Sequence, residues 1–368
     1  MALLPLDQPF DVTSAMKESL QKAFDDIKRV NVIVAGRSGA GKSTLLNAVF
    51  EGNLAATGQG RPVTQKTTEY TREGVPLAIL DTRGLEMDQY QETVSSLEKL
   101  IAERRSSNDV DKQPHVAWVC IPEDSRRVED GERKIVEMFA RYDVPVVAVI
   151  TKARNDQGFS AEVHNLLPTA RNVSRVRALS EVDEEGNTLK QKGLPELIEL
   201  TANLVPEAQR TAFAAVQKVN LELKKARAQK YVTAAAVSAA GVAAAPVPFA
   251  DAALIIPIQV SMIAGISVAF GLPADRAFLS TIVSSSLTAL GGTVIGRAIV
   301  SGLLKLIPGA NLAGSAISAA TAATLTTTFG TLYISVLSAL YERNNGAPLE
   351  PGQVASELKS AIDRHTQG

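Results

Sequence analysis

Apolar positions change their period several times along the chain, and each change marks an element. Residues 30–36, VNVIVAG, form a continuous apolar run closed by glycine, the pattern of a strand buried on both faces. PLAILD (76–81), HVAWVCI (115–121), PVVAVIT (145–151) and SRVRAL (174–179) predict further strands. Between most of them the spacing turns helical, in GKSTLLNAVF, QETVSSLEKLIAERR, DGERKIVEMFARY, SAEVHNLLPTA and LPELIELTANLV. Ahead of the first strand, Val12, Met16, Leu20, Ala23 and Ile27 share one face and predict a helix over 11–29. Strands alternating with helices predict a doubly wound α/β sheet.

The second half has a different character. A long helical pattern runs from Pro206 to Lys230. Beyond it, residues 231–341 carry only five charges: Asp251, Asp275, Arg276, Arg297 and Lys305. The uncharged runs 231–250, 252–274, 277–296 and 306–341 are each long enough to cross a bilayer as a helix. ALIIPIQVSMIAGISVAFG is the most apolar-looking of these stretches, and Lys224, Lys225, Arg227 and Lys230 form a basic flank before the first run. A helix buried in a soluble bundle is equally free of charge, and Ala, Gly, Ser and Thr dominate several runs. Both readings stay open: an apolar helical domain at a membrane lipid surface, or a soluble bundle that binds a protein. VASELKSAIDRH predicts a final short amphipathic helix. The expected organisation is a helical segment over 1–29, an α/β domain over 30–205, an apolar helical domain over 206–345 and a terminal helix over 346–368.

Composition narrows the classes. With 368 residues the chain can build two domains, and its net charge of −1 argues against a general nucleic-acid binder. Its single cysteine, Cys120, rules out an internal disulfide framework and is expected as a buried strand residue. The start, MALLPLDQPF, does not read as a secretory signal, so a cytoplasmic location at the inner face of a membrane is expected.

The first strand runs into GRSGAGKST (36–44), which fits G-x-x-x-x-G-K-[ST] in its required context of strand, loop and helix. Amides of Arg37, Ser38, Gly39, Ala40, Gly41, Lys42, Ser43 and Thr44 are placed to cradle phosphate oxygens at a helix start. Lys42 is expected to reach the β and γ phosphates, and the Ser43 hydroxyl to bind Mg2+. LAILDTRG (77–84) then ends a strand in Asp81, a second Mg2+ ligand, while Gly84 allows an amide near the γ-phosphate. Between them lies GQGRPVTQKTTEY (58–70), polar as a switch loop should be. Thr64 is the expected third ligand to Mg2+, with Thr67 and Thr68 as competitors.

These stretches, with RPVT, AWVCI and ITKA, resemble the translation-factor-like P-loop GTPases of the Era and TrmE type over about residues 30–205. The chain is also similar to the immunity-related GTPases, and with its tail it resembles bacterial GTPases bearing an appended hydrophobic helical domain. The resemblance implies GTP and GDP as ligands, Mg2+ as cofactor, and hydrolysis of GTP. It also implies that Lys42, Thr64 and Gly84 serve the reaction, and that a homodimer through this domain is a partner state.

Three departures qualify the resemblance. Leu85 follows the DTRG glycine where Ras-like GTPases carry a water-orienting glutamine, which predicts slow turnover alone and stimulation by dimerisation, a partner or a membrane. Arg83 or Arg37 could then act as an arginine finger or be solvated surface arginines. Gly39 stands where the potassium-coordinating asparagine of the TrmE type would be. In AVITKARND, Thr151 and Lys152 match the N/T-K-x-D base-reading pattern, but Arg154 occupies the carboxylate position and can only donate. Asp156, two residues on, either replaces that carboxylate or is a solvated loop residue. Ala178 and Leu179 stand for the last motif, whose backbone amide would face the base oxygen.

Overall fold

The structure is a computed structural model. It describes residues 28–50, 68–72, 75–81, 90–107, 109–182, 186–243, 251–272, 319–347 and 349–367. The expected helix over 11–29, all but its last two residues, and the run 277–296 lie outside these residues, as do Thr64, Thr67, Arg83, Gly84 and Leu85. The chain divides into two compact units, with the boundary between Leu223 and Lys224.

The first unit is built on a six-stranded sheet in the order β2-β3-β1-β4-β5-β6. The strands are β1 (Val30–Gly36), β2 (Thr68–Arg72), β3 (Val75–Asp81), β4 (Val116–Pro122), β5 (Val146–Thr151) and β6 (Asn172–Arg175). All neighbours are parallel except β2 and β3. Strands β1, β4 and β5 are buried at every position, which is why their sequences are continuous apolar runs. Helices α1 (Lys42–Val49), α2 (Tyr90–Arg105), α3 (Asp130–Arg141), α4 (Phe159–Leu166), α5 (Leu194–Leu204) and α6 (Glu207–Val216) complete the two covering layers.

Alternation along the strands divides the core. Ile33, Ala35, Ala117, Val119, Ile121, Ala148 and Ile150 face one layer, closed by Leu97 and Ile101 of α2 and by Ile135, Val136 and Phe139 of α3. On β4 the intervening Trp118 stacks on Phe50, with ring centroids 5.8 Å apart. Phe50 meets Phe213 of α6 edge to face at 6.4 Å. The Trp118 indole N–H donates to Thr201 Oγ1 of α5 at 3.0 Å, so the large polar-tipped ring is both buried and satisfied. Cys120 is buried in β4, as expected of a strand residue.

Three elements differ from expectation. The polar TEYTR, read as the end of a loop, is edge strand β2, and the strand expected over 174–179 ends at Arg175. The helix expected from Pro206 to Lys230 is broken at Gln217, which is extended. Its side-chain oxygen accepts the amides of Val219 (2.9 Å) and Asn220 (2.8 Å), replacing helical bonds. The Asn220 side chain then accepts the Leu223 amide at 2.9 Å and starts α7 (Leu221–Ala243). The break is pinned to the end of α1, because Lys218 donates its amide to Val49 O and its ammonium to Asn47 O.

The second unit contains most of α7, with α8 (Asp251–Ala269), α9 (Ala319–Arg343) and α10 (Pro351–Gln367). Helix α9 packs against α8 and α10. Small residues allow close approach: a Cβ at Gly330 would meet Val232 Cγ2 at 2.6 Å and Met262 Sδ at 2.9 Å. Ser267 and Tyr333 share a buried hydroxyl hydrogen bond at 2.8 Å. The basic flank expected to face lipid is partly internal. Lys224 and Arg227 are buried, and the Lys224 ammonium lies 5.2 Å from the Tyr341 ring centre.

Candidate nucleotide site

The loop from β1 to α1 lies at the carboxyl end of the sheet, where β3 and β4 diverge on either side of β1, the place where open α/β sheets bind ligands. Two glycines make its shape. Gly36 has φ +145°, and a Cβ there would overlap the Cys120 carbonyl in the paired strand. Gly41 has φ +82° immediately before α1. Ser38 and Gly39 are exposed, Ala40 is buried, and Ser43 and Thr44 are half-buried. Lys42 is buried, and its ammonium donates to the carbonyls of Gly36 and Arg37, each at 3.0 Å. The lysine is thus held across the loop whose amides it would share with a phosphate.

Arg37 is neither a free finger nor a solvated surface arginine. Its guanidinium donates to Glu132 Oε1 (2.9 Å), Glu129 Oε1 (3.2 Å) and Ser125 Oγ (2.9 Å), which fastens the loop to α3. Glu132 is fully buried and also accepts the Glu129 amide in a capping box at the start of α3. Burial pushes its carboxyl above the usual range, against the Glu129 amide and Arg37, which act the other way.

Asp81 ends β3, its Cα in register with Val34 of β1 and with Thr68 of β2. Ser43 and Asp81 therefore stand at the same end of neighbouring elements. A hydroxyl and a carboxylate, both hard oxygen donors, fit Mg2+ completed by phosphate and water. Among the described residues no group of three His, Cys, Asp or Glu forms a metal cage.

The base-reading loop follows β5. Thr151 Oγ1 donates to the Ala40 carbonyl at 2.6 Å, joining this loop to the phosphate loop. Lys152 has φ +53° and lies 3.4 Å from Asp124. Arg126 (φ +51°) and Gln157 (φ +44°) are also left-handed, so non-glycine backbone strain gathers around this loop, as it does at functional sites. A cleft of about 210 Å³ opens here, lined by the carboxylates of Glu123, Asp124 and Glu181 and by Arg126, Lys152 and Arg154. Arg154 turns its guanidinium to Glu181, with bonds of 3.1 and 2.8 Å to Oε2.

Asp156 is neither free nor merely solvated. Its Oδ1 accepts the Ser160 amide at 2.9 Å and its Oδ2 the Ser160 hydroxyl at 2.6 Å, so from two residues ahead of the N-cap Gly158 it closes off the first turn of α4. Arg175 lies 3.3 Å from Oδ1. The Ser160 hydroxyl, helped by its amide and by Arg175, holds the Asp156 carboxyl below the usual range. Ala178 is half-buried and its carbonyl accepts from Gln191, while Leu179 is exposed. Glu123 escaped the sequence reading. It is 2% exposed, accepts the amides of Arg154 and Asn155 on one oxygen and the Arg175 guanidinium on the other, and so sets the path of the loop. The only local signal was an acidic residue continuing a buried strand.

Comparison with known families bears on this geometry. Residues 31–152 match the model described as "50S ribosome-binding GTPase". Those residues form a P-loop GTPase domain. Residues 208–364 match a second model, described as "Domain of unknown function (DUF697)", so the GTPase domain carries an appended helical region. The GTPase Era of Clostridium kluyveri is 29% identical over 184 residues, 49% of this chain and 58% of that protein. The tRNA modification GTPase MnmE of Endomicrobium trichonymphae is 27% identical over 140 residues, 37% of this chain and 29% of that protein. The chain thus spans little more than half the length of that Era. A crystal structure of a variant Era from Aquifex aeolicus, bound to GDP and AlF4−, is 18% identical, with a TM-score of 0.36 over 58% of this chain and 68% of that one. The match to the GTPase domain extends from Asn31 in β1, through the phosphate loop, to Lys152 at the start of the base-reading loop.

Proposed function

We propose that the protein binds GTP with Mg2+ and hydrolyses it to GDP, and that the nucleotide state acts on the helical unit. The observation that carries this reading is the strained glycine loop with Lys42 laid across it, bonded through Thr151 to a second loop that follows β5. Amides 37–44 and Lys42 would bind the phosphates, with Mg2+ held by Ser43, Asp81 and Thr64 and supplying charge stabilisation at the β and γ oxygens. Gly84 would let an amide reach the γ-phosphate. Lys152 would lie along the base. Ala178 and Leu179 would border it, and Asp156 would act on the base only through the loop it caps.

Leu85 cannot orient water, which supports slow turnover alone and a faster rate in a homodimer or with a partner. Coupling to the helical unit would run through 217–220, where Lys218 grips the end of the phosphate-loop helix just before α7 begins.

Membrane association rests on α9, which among the described residues is the one helix long and apolar enough to cross a bilayer, with a mean hydropathy of 1.3 in its best window. Half of that window is buried inside the protein, as in a soluble core helix. Burial of Lys224 and Arg227 favours the second reading, a soluble switch whose helical unit binds a protein.

The test is phosphate release from GTP in Mg2+, for wild type and Lys42→Ala, with and without anionic liposomes. Lys42-dependent release supports the GTPase reading, and release by Lys42→Ala at the wild-type rate refutes it. Stimulation with co-flotation supports the membrane reading. Unchanged turnover and no flotation support the soluble switch.

A further inference from the structure

A guanine edge offers two adjacent donors, N1–H and the 2-amino group, and its reader must supply a carboxylate with a free oxygen. The sequence puts Arg154 where that carboxylate is expected. The structure decides which of the nearby carboxylates still has capacity. Asp156 bonds Ser160 with both oxygens and does not line the cleft. Glu123 spends one on two loop amides and the other on Arg175. Among the described residues two remain on the cleft: Asp124, exposed and 3.4 Å from Lys152, and Glu181.

Glu181 is the better placed. Arg154 donates twice to its Oε2, which leaves Oε1 without a hydrogen bond among the described residues. Its side chain is one-third exposed, so it is partly desolvated yet reachable. The backbone is fixed by pairing of β7 (Glu181–Val182) with β8 (Thr188–Leu189). The segment between β6 and β7 is tied to the base-reading loop, since Arg177 donates to the Ala153 carbonyl at 2.8 Å and Ala153 donates its amide to Val176. An acidic residue held by β7 and oriented by Arg154 thus lines the same cleft as Lys152.

We propose that Glu181, positioned by Arg154, is the residue that reads the guanine edge. The proposal rests on the nucleotide reading above. Arg154 can only donate, so it demands an oxygen from its partner. In Glu181→Gln the amide oxygen is held by Arg154 and the NH2 group is left for the base. That group repels the guanine donors and suits the 2-carbonyl of xanthine.

The experiment is calorimetric titration of the full chain in Mg2+ with GDP, inosine diphosphate and xanthosine diphosphate, for wild type, Glu181→Gln, Asp124→Asn and Asp156→Ala. Wild type is expected to prefer GDP over inosine diphosphate, which lacks the 2-amino group, by at least about tenfold. Glu181→Gln is expected to weaken GDP by at least about tenfold and to tighten xanthosine diphosphate, with its melting curve unchanged. Asp124→Asn is expected to keep the wild-type preference. Wild-type GDP binding that survives in Glu181→Gln overturns the assignment, and so does a switch to xanthosine diphosphate in Asp124→Asn or Asp156→Ala instead. Equal binding of GDP and inosine diphosphate by wild type overturns it without any variant. Binding of none of the three by wild type overturns the nucleotide reading itself, and with it this proposal.

Discussion

His115 closes the amino end of the sheet, and its protonation should unlatch it. Its Nδ1 accepts the Asn31 amide at 2.9 Å, and His115 returns its own amide to the Asn31 carbonyl at 3.0 Å. His115 is 6% exposed, and its Nε2 has no partner among the described residues. Burial lowers its pKa from 6.5 to about 4, against a pull upward from Asp111, with Arg105 adding to the fall. The folded pKa is depressed, so between these values the unfolded chain binds more protons and stability rises with pH. The contribution is whole above pH 6.5 and is lost as pH falls to 4. At about 1.4 kcal/mol per pH unit the loss is roughly 3 kcal/mol. The chain has a single tryptophan, Trp118, buried two strand positions beyond Val116, so its fluorescence reports unfolding of this unit alone. Urea titrations at pH 7 and pH 4.5 should show a wild-type loss of order 3 kcal/mol. His115→Asn keeps an acceptor near the Nδ1 position and removes the titration, so its loss should be smaller by most of that amount. Equal losses in the two proteins would refute the reasoning.

Other perturbations should separate structure from function. Glu123→Ala leaves two amides unpaired and Arg175 with Asp156 alone, so it should cost about 2–4 kcal/mol by Trp118 fluorescence and loosen nucleotide binding; a cost under about 1 kcal/mol contradicts the role given to Glu123. Gly36→Ala places a methyl on the Cys120 carbonyl of the paired strand, with an expected loss above about 3 kcal/mol or no soluble protein. Thr151→Val removes the bond to the Ala40 carbonyl and should cost about 1–3 kcal/mol, with weaker nucleotide binding in calorimetry. Gly330→Leu should loosen the helical unit, read as faster proteolysis of α9, while the Trp118 transition stays in place.

Sequence legibility followed how far each signal travels along the chain. The inner strands β1, β4 and β5 were readable because burial on both faces writes an unbroken apolar run. Edge strand β2 is polar TEYTR, and only its pairing with β3 makes it a strand. The break at Gln217 carries no proline or glycine, and the one local cue was Asn220 as a helix cap. The phosphate loop was legible because its glycines and Lys42 lie within nine residues, 36–44. The base-reading machinery was not, since Glu123 meets Arg175 and Arg154 meets Glu181 only after β4, β5, β6 and the β7–β8 hairpin are assembled. Asp156 looked available in sequence because its partner Ser160 is a helical turn away, and a capping role leaves no mark distinct from a ligand role.

The central claim is that this chain selects a guanine nucleotide. Calorimetric titration of the purified full chain with GDP and with ADP, in Mg2+, tests it most directly. The account predicts tight GDP binding, at least about a hundredfold stronger than ADP, and loss of binding in Lys42→Ala. GDP and ADP binding alike would contradict it and leave a P-loop protein that holds phosphates without reading the base.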